Sequence, residues 1–226
     1  MKKQIILILA ILCLILIGCS ARIDGSLSAN GSATLSINMS LERGITALVQ
    51  RMFTAGGQAG PILDGSAIAK SMSDSPGVIS ASFRNTSPSA IEGQVRLSQV
   101  KDFGFVSIEQ GASGGRCIIN INGENSQEVL ELLSPDITNY LNALMAPVAT
   151  GEEMTKREYL DIVTSFYNKT ISDEIASSRV RVSIEFPGVV TAVKGGTFSG
   201  RRANFDIPLL DILVLEAPLI YEVSWN

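Results

Sequence analysis

Two runs of alternating apolar residues, Ile23, Gly25 and Leu27 before an Asn30-Gly31 pair and Ala33, Leu35, Ile37 and Met39 after it, constrain this chain most. A period of two puts those residues on one face of a strand, and Asn-Gly accepts the positive φ angles of a tight hairpin turn. The fold therefore opens as an antiparallel hairpin with one apolar face to bury.

What precedes the hairpin reads as an export leader. Lys2 and Lys3 lead into an apolar stretch from Ile5 to Ile17, and the run closes on Leu16-Ile17-Gly18-Cys19. A positively charged start followed by a short apolar core is the layout of a secretory signal. As a helix at about 1.5 Å per residue the apolar stretch would reach only about 20 Å, short of a hydrocarbon core of roughly 30 Å. The closing four residues resemble a bacterial lipobox, in which a small residue precedes the cysteine whose thiol takes a diacylglyceryl group. That resemblance implies removal of residues 1–18 and lipidation at Cys19, with the membrane as a partner through palmitate-type acyl chains. Residues 19–226 are then expected to form a single lipoprotein domain on a short N-terminal tether, on the periplasmic or outer-membrane face of a bacterial envelope. Ser20 is not the Asp that holds many lipoproteins at the inner membrane, which favours onward export.

Removing the leader also settles the covalent inventory. Of three cysteines, Cys13 leaves with the leader and Cys19 is acylated, so Cys117 is the one free thiol and no internal disulfide can form. The domain must stand on its apolar core, which a chain of this length can bury. Cys117 precedes Ile118 and Ile119 in an expected strand, where it reads as a small buried hydrophobe.

Further along, Ser40 is placed to cap a helix carrying Leu41, Ile45, Leu48, Val49, Met52 and Phe53 on one face. Glycine-rich residues 56–61 end it, and a short helix near Ser66–Ser73 follows. Strands are expected near 78–84, 91–100, 103–110 and 116–122. A helical block then carries Leu130, Leu133, Ile137, Leu141 and Leu144. Thr155 and Glu158 have capping-box spacing ahead of a helix bearing Tyr159, Ile162, Val163, Phe166 and Ile171. Alternating strands return at Val180–Phe186, Ala203–Ile207 and Leu219–Trp225. Strands, helices and strands again predict an α+β fold, a mainly antiparallel sheet built from hairpins with a helical block packed on one face.

The chemistry excluded is broad. The sequence has no histidine, which removes Ser-His and Cys-His nucleophile pairs and imidazole metal sites. One free thiol cannot supply a zinc tetrad, and neither glycine-rich patch ends as a phosphate loop. Serine–lysine catalysis is likewise not expected. With a net charge of −4 before the two leader lysines are lost, and no basic stripe, the chain does not suit nucleic acid. No catalytic, cofactor-binding or metal residue is assigned. Paired carboxylates drawn from Glu152, Glu153, Asp173 and Glu174 leave a glycan hydrolase as one alternative.

The C-terminal part carries Val182-Ser-Ile-Glu-Phe-Pro-Gly-Val-Val190, a Gly195-Gly196 turn, Gly200 before a short strand, and an apolar run closing on Tyr221–Trp225. With the opening Gly25–Ile37 hairpin, this layout resembles the LppM-type domain of bacterial envelope lipoproteins. The resemblance implies a non-catalytic binding or interaction module whose partner is a lipid, a glycolipid or an envelope protein. A lipid carrier needs an apolar pocket, which Leu130, Leu133, Leu141, Phe166 and Ile171 could line between sheet and helices.

Overall fold

A computed structural model describes residues 19–55, 61–74, 77–100, 105–111, 114–130, 141 and 144–226. The opening hairpin forms as its pattern requires. Strands β1 (Cys19–Leu27) and β2 (Ala33–Leu41) pair antiparallel from Cys19↔Leu41 to Leu27↔Ala33, around a turn in which Gly31 takes φ +82°. Burial along β2 alternates with period two, so Ala33, Leu35, Ile37, Met39 and Leu41 all face the core. Pairing begins at Cys19 itself, where the sequence suggests a short tether; Ser20 and Arg22 complete the strand's outward set.

The fold is α+β. Strands β3 (Val78–Ser87), β4 (Ala90–Leu97), β7 (Arg179–Glu185), β9 (Thr197–Ser199) and β10 (Arg202–Pro208) join the hairpin in a seven-stranded sheet ordered β3-β4-β2-β1-β7-β10-β9. All its pairs are antiparallel except β1 with β7, which run parallel from Ala21↔Val180 to Ser26↔Glu185. The parallel pair is possible because the connection between its strands is long and helical. Strands β5 (Val106–Gly111), β6 (Gly114–Ile121), β8 (Val190–Lys194) and β11 (Leu219–Trp225) form a second antiparallel sheet, ordered β5-β6-β11-β8. The strands thus divide into two sheets where hairpin patterning alone suggests one.

Helices α1 (Arg43–Ala55) and α2 (Gly65–Ser73) follow β2, and α3 (Gly123–Leu130), α4 (Pro147–Thr150), α5 (Lys156–Phe166) and α6 (Lys169–Ser177) lie between β6 and β7. A short α7 (Leu209–Val214) separates β10 from β11. Asp64 caps α2 by accepting from the Ser66 and Ala67 amides at 2.9 and 3.1 Å. The Thr155–Glu158 capping box opens α5 as its spacing predicts. That helix stops at Tyr167, and the Asn168 side chain accepts from the Ile171 amide to start α6. Ile171 therefore belongs to a separate helix from Phe166.

The expected Ser40 cap is not made. Ser40 stays in β2, opposite Ser20, and the first turn of α1 is satisfied from outside. The Gly44 and Ile45 amides donate to the Glu174 carboxylate of α6 at 2.8 and 2.9 Å, which ties the two helices together. The Leu209 amide donates to the Ser178 carbonyl at 3.0 Å, and Lys156 pairs with Asp211 at 2.8 Å. These links gather α1, α5, α6 and α7 near the end of the large sheet where β1 begins. Residues 131–140 of the expected helical block, including Leu133 and Ile137, lie outside the described residues.

Candidate functional site: an apolar cavity between the sheets

The inward faces of the two sheets do not fill all the space between them. A cavity of about 140 Å³ remains. From the large sheet its wall includes Ile23 and Leu35, then Val182 and Ile184 of β7, then Phe205 and Ile207 of β10. Facing them are Val106 and Ile108 of β5, Cys117 and Ile119 of β6, and Tyr221 and Val223 of β11. Ile212 of α7 and Leu219 also line it, as do Phe105, Phe186, Leu27 and Ala33. Among the described lining residues Ser26 alone is solvent-exposed; it stands out of phase with Ile23 and Leu27, on the outward side of β1 with its exposed partner Thr34.

Alternation explains how this wall is built. Each strand other than β1 that contributes more than one residue does so with residues two apart, the signature of one face of a pleated strand. Beyond Cys117 on β6, Ile119 and Ile121 keep the same phase in the lining. Ile108, Cys117, Ile119, Val182, Ile184 and Tyr221 are only half-buried, and the surface they retain faces the cavity. Two aromatic pairs brace the neighbourhood. Phe186 lies 5.1 Å from Trp225 between ring centroids, and Phe205 meets Tyr221 edge-on at 5.3 Å.

No ionised group lines the cavity. Its two titratable liners are held neutral: burial pushes the Cys117 thiol up to about 12, and burial with the nearby Asp211 carboxylate pushes the Tyr221 phenol up to about 12. Such a site can sequester hydrocarbon and offers nothing to bind a charge. In size it matches the roughly 150 Å³ apolar cavity that stays dry and admits benzene. About five or six carbons would fill it.

The pocket anticipated between sheet and helices is not where the cavity lies. Leu141 and Ile171 are buried core residues, and Phe166 is 70% exposed on α5. Leu130 ends α3, and neither it nor Leu133 can be assigned side-chain contacts within the described residues. The carboxylates singled out for glycan hydrolysis do not meet at the cavity either. Glu152 and Glu153 are exposed, Asp173 pairs with Lys169 at 2.6 Å, and Glu174 holds the start of α1. Among the described residues no group of three or more Asp, Glu or Cys side chains gathers as a metal site requires. One Ser-x-x-Lys spacing, the pattern that serine–lysine catalysis would need, does run from Ser98 to Lys101. The Ser98 hydroxyl donates to the Gly77 carbonyl at 3.2 Å, and Lys101 is outside the described residues.

A second hollow, of about 410 Å³, lies on the outward face of β2, β4 and β3. Ser36, Asn38, Ser82 and Gln94 border it together with the Arg84–Glu92 ion pair. Its polar side chains are the outward half of the same alternation that builds the core.

Cys19 opens β1, while the rest of the lipobox and the whole leader lie outside the described residues. Among the described residues no helix is long and apolar enough to cross a membrane. No family model and no curated protein sequence matches the chain. Among solved structures, the folded domain of the LppM protein of Mycobacterium tuberculosis is similar to 94% of this chain, over 91% of its own length, with a TM-score of 0.42 and 11% sequence identity. At that score and identity the likeness assigns neither a family nor an activity.

Proposed function

We propose that this chain is a lipid-anchored, non-catalytic module of the bacterial envelope that holds the end of an acyl chain in the cavity between its two sheets. The observation that carries this reading is the lining: a 140 Å³ space bounded by seventeen apolar residues of both sheets, four more from neighbouring segments and a single serine. The leader ending at Cys19 supports the anchor, and acyl chains there at about 0.8 kcal/mol per buried methylene suffice for stable attachment.

The cavity is too small for a whole lipid, so the ligand is an alkyl terminus whose remainder stays outside it. Burying five or six carbons at about 0.8 kcal/mol each yields about 4–5 kcal/mol, a dissociation constant between roughly 0.2 and 1 mM. Weak, rapidly reversible binding suits a carrier better than a store. A chain-length series of fatty acids titrated calorimetrically into a form beginning at Ser20 tests this. Affinity should rise about fourfold per methylene and then level off once the cavity is full. Affinity independent of chain length contradicts it.

A further inference from the structure

One inward position of β1 is missing from the cavity wall. Gly25 sits within the strand, paired on one side with Leu35 of β2 and on the other with Ile184 of β7. Ile23 and Leu27, two residues before and after it in the same phase, line the cavity, and so do both of its partners. The backbone does not ask for glycine there. Its φ is not positive, and the pairing on both sides runs through it without a shift in register. Glycine inside a strand weakens it, through the backbone freedom lost on folding and the side chain it does not pack.

What the glycine provides is room. A Cβ at this position would overlap a δ-methyl of Leu35 and come within 2.9 Å of the δ-methyl of Ile184. The nearest backbone atom of a neighbouring strand, the Thr34 carbonyl oxygen, stands 3.0 Å away. The two side chains thus meet over Gly25, with their ends against the strand instead of in the space between the sheets. Gly93, also inside a strand, differs. A Cβ there would run into the Ser82 carbonyl oxygen as well as the Phe83 ring, so the backbone itself excludes one. At Gly25 the closest atoms are the ends of flexible apolar side chains, and the free space beside both is the cavity.

Resting on the acyl-binding reading above, we infer that Gly25 sets the length of chain the cavity accepts. With alanine at this position the Leu35 and Ile184 methyls turn away from the strand and take the room of one or two chain carbons. Each excluded carbon lowers affinity about fourfold. A chain short enough for the smaller space binds as before.

The test runs the fatty-acid series by calorimetry on a form beginning at Ser20, which keeps every described residue but Cys19. Wild type is compared with Gly25→Ala and with Gly25→Ala/Leu35→Val, which removes one of the displaced carbons. Affinity for Gly25→Ala should level off one or two carbons before wild type. Chains beyond that point should bind about four- to sixteenfold more weakly than to wild type, and shorter chains equally well. The double variant should regain about one carbon. Gly25→Ala that levels off where wild type does overturns the inference and leaves the acyl-binding reading intact. The same holds for a loss shared by all chain lengths, and for failure of both variants to fold, which would put the obstacle in the Thr34 backbone. Wild-type affinity independent of chain length overturns both.

Discussion

Replacing Ala33 with phenylalanine should fill the cavity and abolish ligand uptake while leaving the fold standing. Ala33 is a buried liner at the end of β2, opposite Leu27, so a larger side chain there extends into the space between the sheets. The added phenyl group is the size of benzene, which a cavity of this volume admits. An unfilled 140 Å³ cavity costs about 3.4 kcal/mol at roughly 24 cal/mol per Å³. Overpacking strain of about 1–3 kcal/mol offsets most of that gain. The net expectation is a change between zero and about 2 kcal/mol in favour of the variant, a melting temperature raised by up to about 8 °C. Thermal unfolding of a form beginning at Ser20, with and without 10 mM octanoate, reads both effects. Wild type should gain about 1.4–2.3 kcal/mol from the ligand for a dissociation constant of about 0.2–1 mM, and the variant should gain nothing. Destabilisation beyond 2 kcal/mol would show that the space is already occupied by core. Undiminished stabilisation by octanoate would show that the ligand binds elsewhere.

Three further outcomes follow from particular contacts. Glu174→Gln should cost about 1–2 kcal/mol in chemical denaturation, because two first-turn amides of α1 lose a carboxylate acceptor. Glu158 has its carboxyl held below the usual range by the backbone and then the hydroxyl of Thr155; Thr155→Ala should bring it back up, as carboxyl-carbon NMR titration would read. For Cys117 the sign is opposite. The folded thiol keeps its proton to about 12 while the unfolded one loses it near 9, so its contribution is intact below pH 9 and fades as pH rises towards 12. Cys117→Ala should therefore flatten part of the stability loss across that window. In the wild type at pH 8, thiol labelling should be slow and slower still with octanoate bound.

The parts of the fold that were legible in the sequence are those written in local periodicity and turn chemistry. Asn30-Gly31 between alternating runs predicts β1 and β2, and Thr155 with Glu158 predicts the start of α5. Ser40 misleads, because its capping role depends on where β2 ends, and pairing with Ser20 prolongs that strand. Strands β8 and β9 escape notice because five- and three-residue segments around Gly195-Gly196 offer little alternation. Helix α7 is six residues long and apolar but for Asp211, with Leu209, Ile212, Leu213 and Val214 buried, so no amphipathic stripe marks it.

The cavity was the least legible feature. Each liner is an ordinary inward strand residue, and nothing in one strand's pattern records how far the facing sheet stands away. Leu141 and Ile171 misled for the same reason: an apolar face is needed both by a packed core and by a ligand pocket. What separates the two is the pairing of remote segments, β1 with β7 and β6 with β11, which no local window contains.

The most direct measurement of the central claim is a methyl-NMR titration of a form beginning at Ser20 with octanoate. Shift changes should concentrate on Ile23, Ile108, Ile119, Val182 and Ile184, saturate between roughly 0.2 and 1 mM, and vanish in Ala33→Phe. Changes at exposed Ile79, Val189 and Ile220, with those five methyls undisturbed, would contradict it.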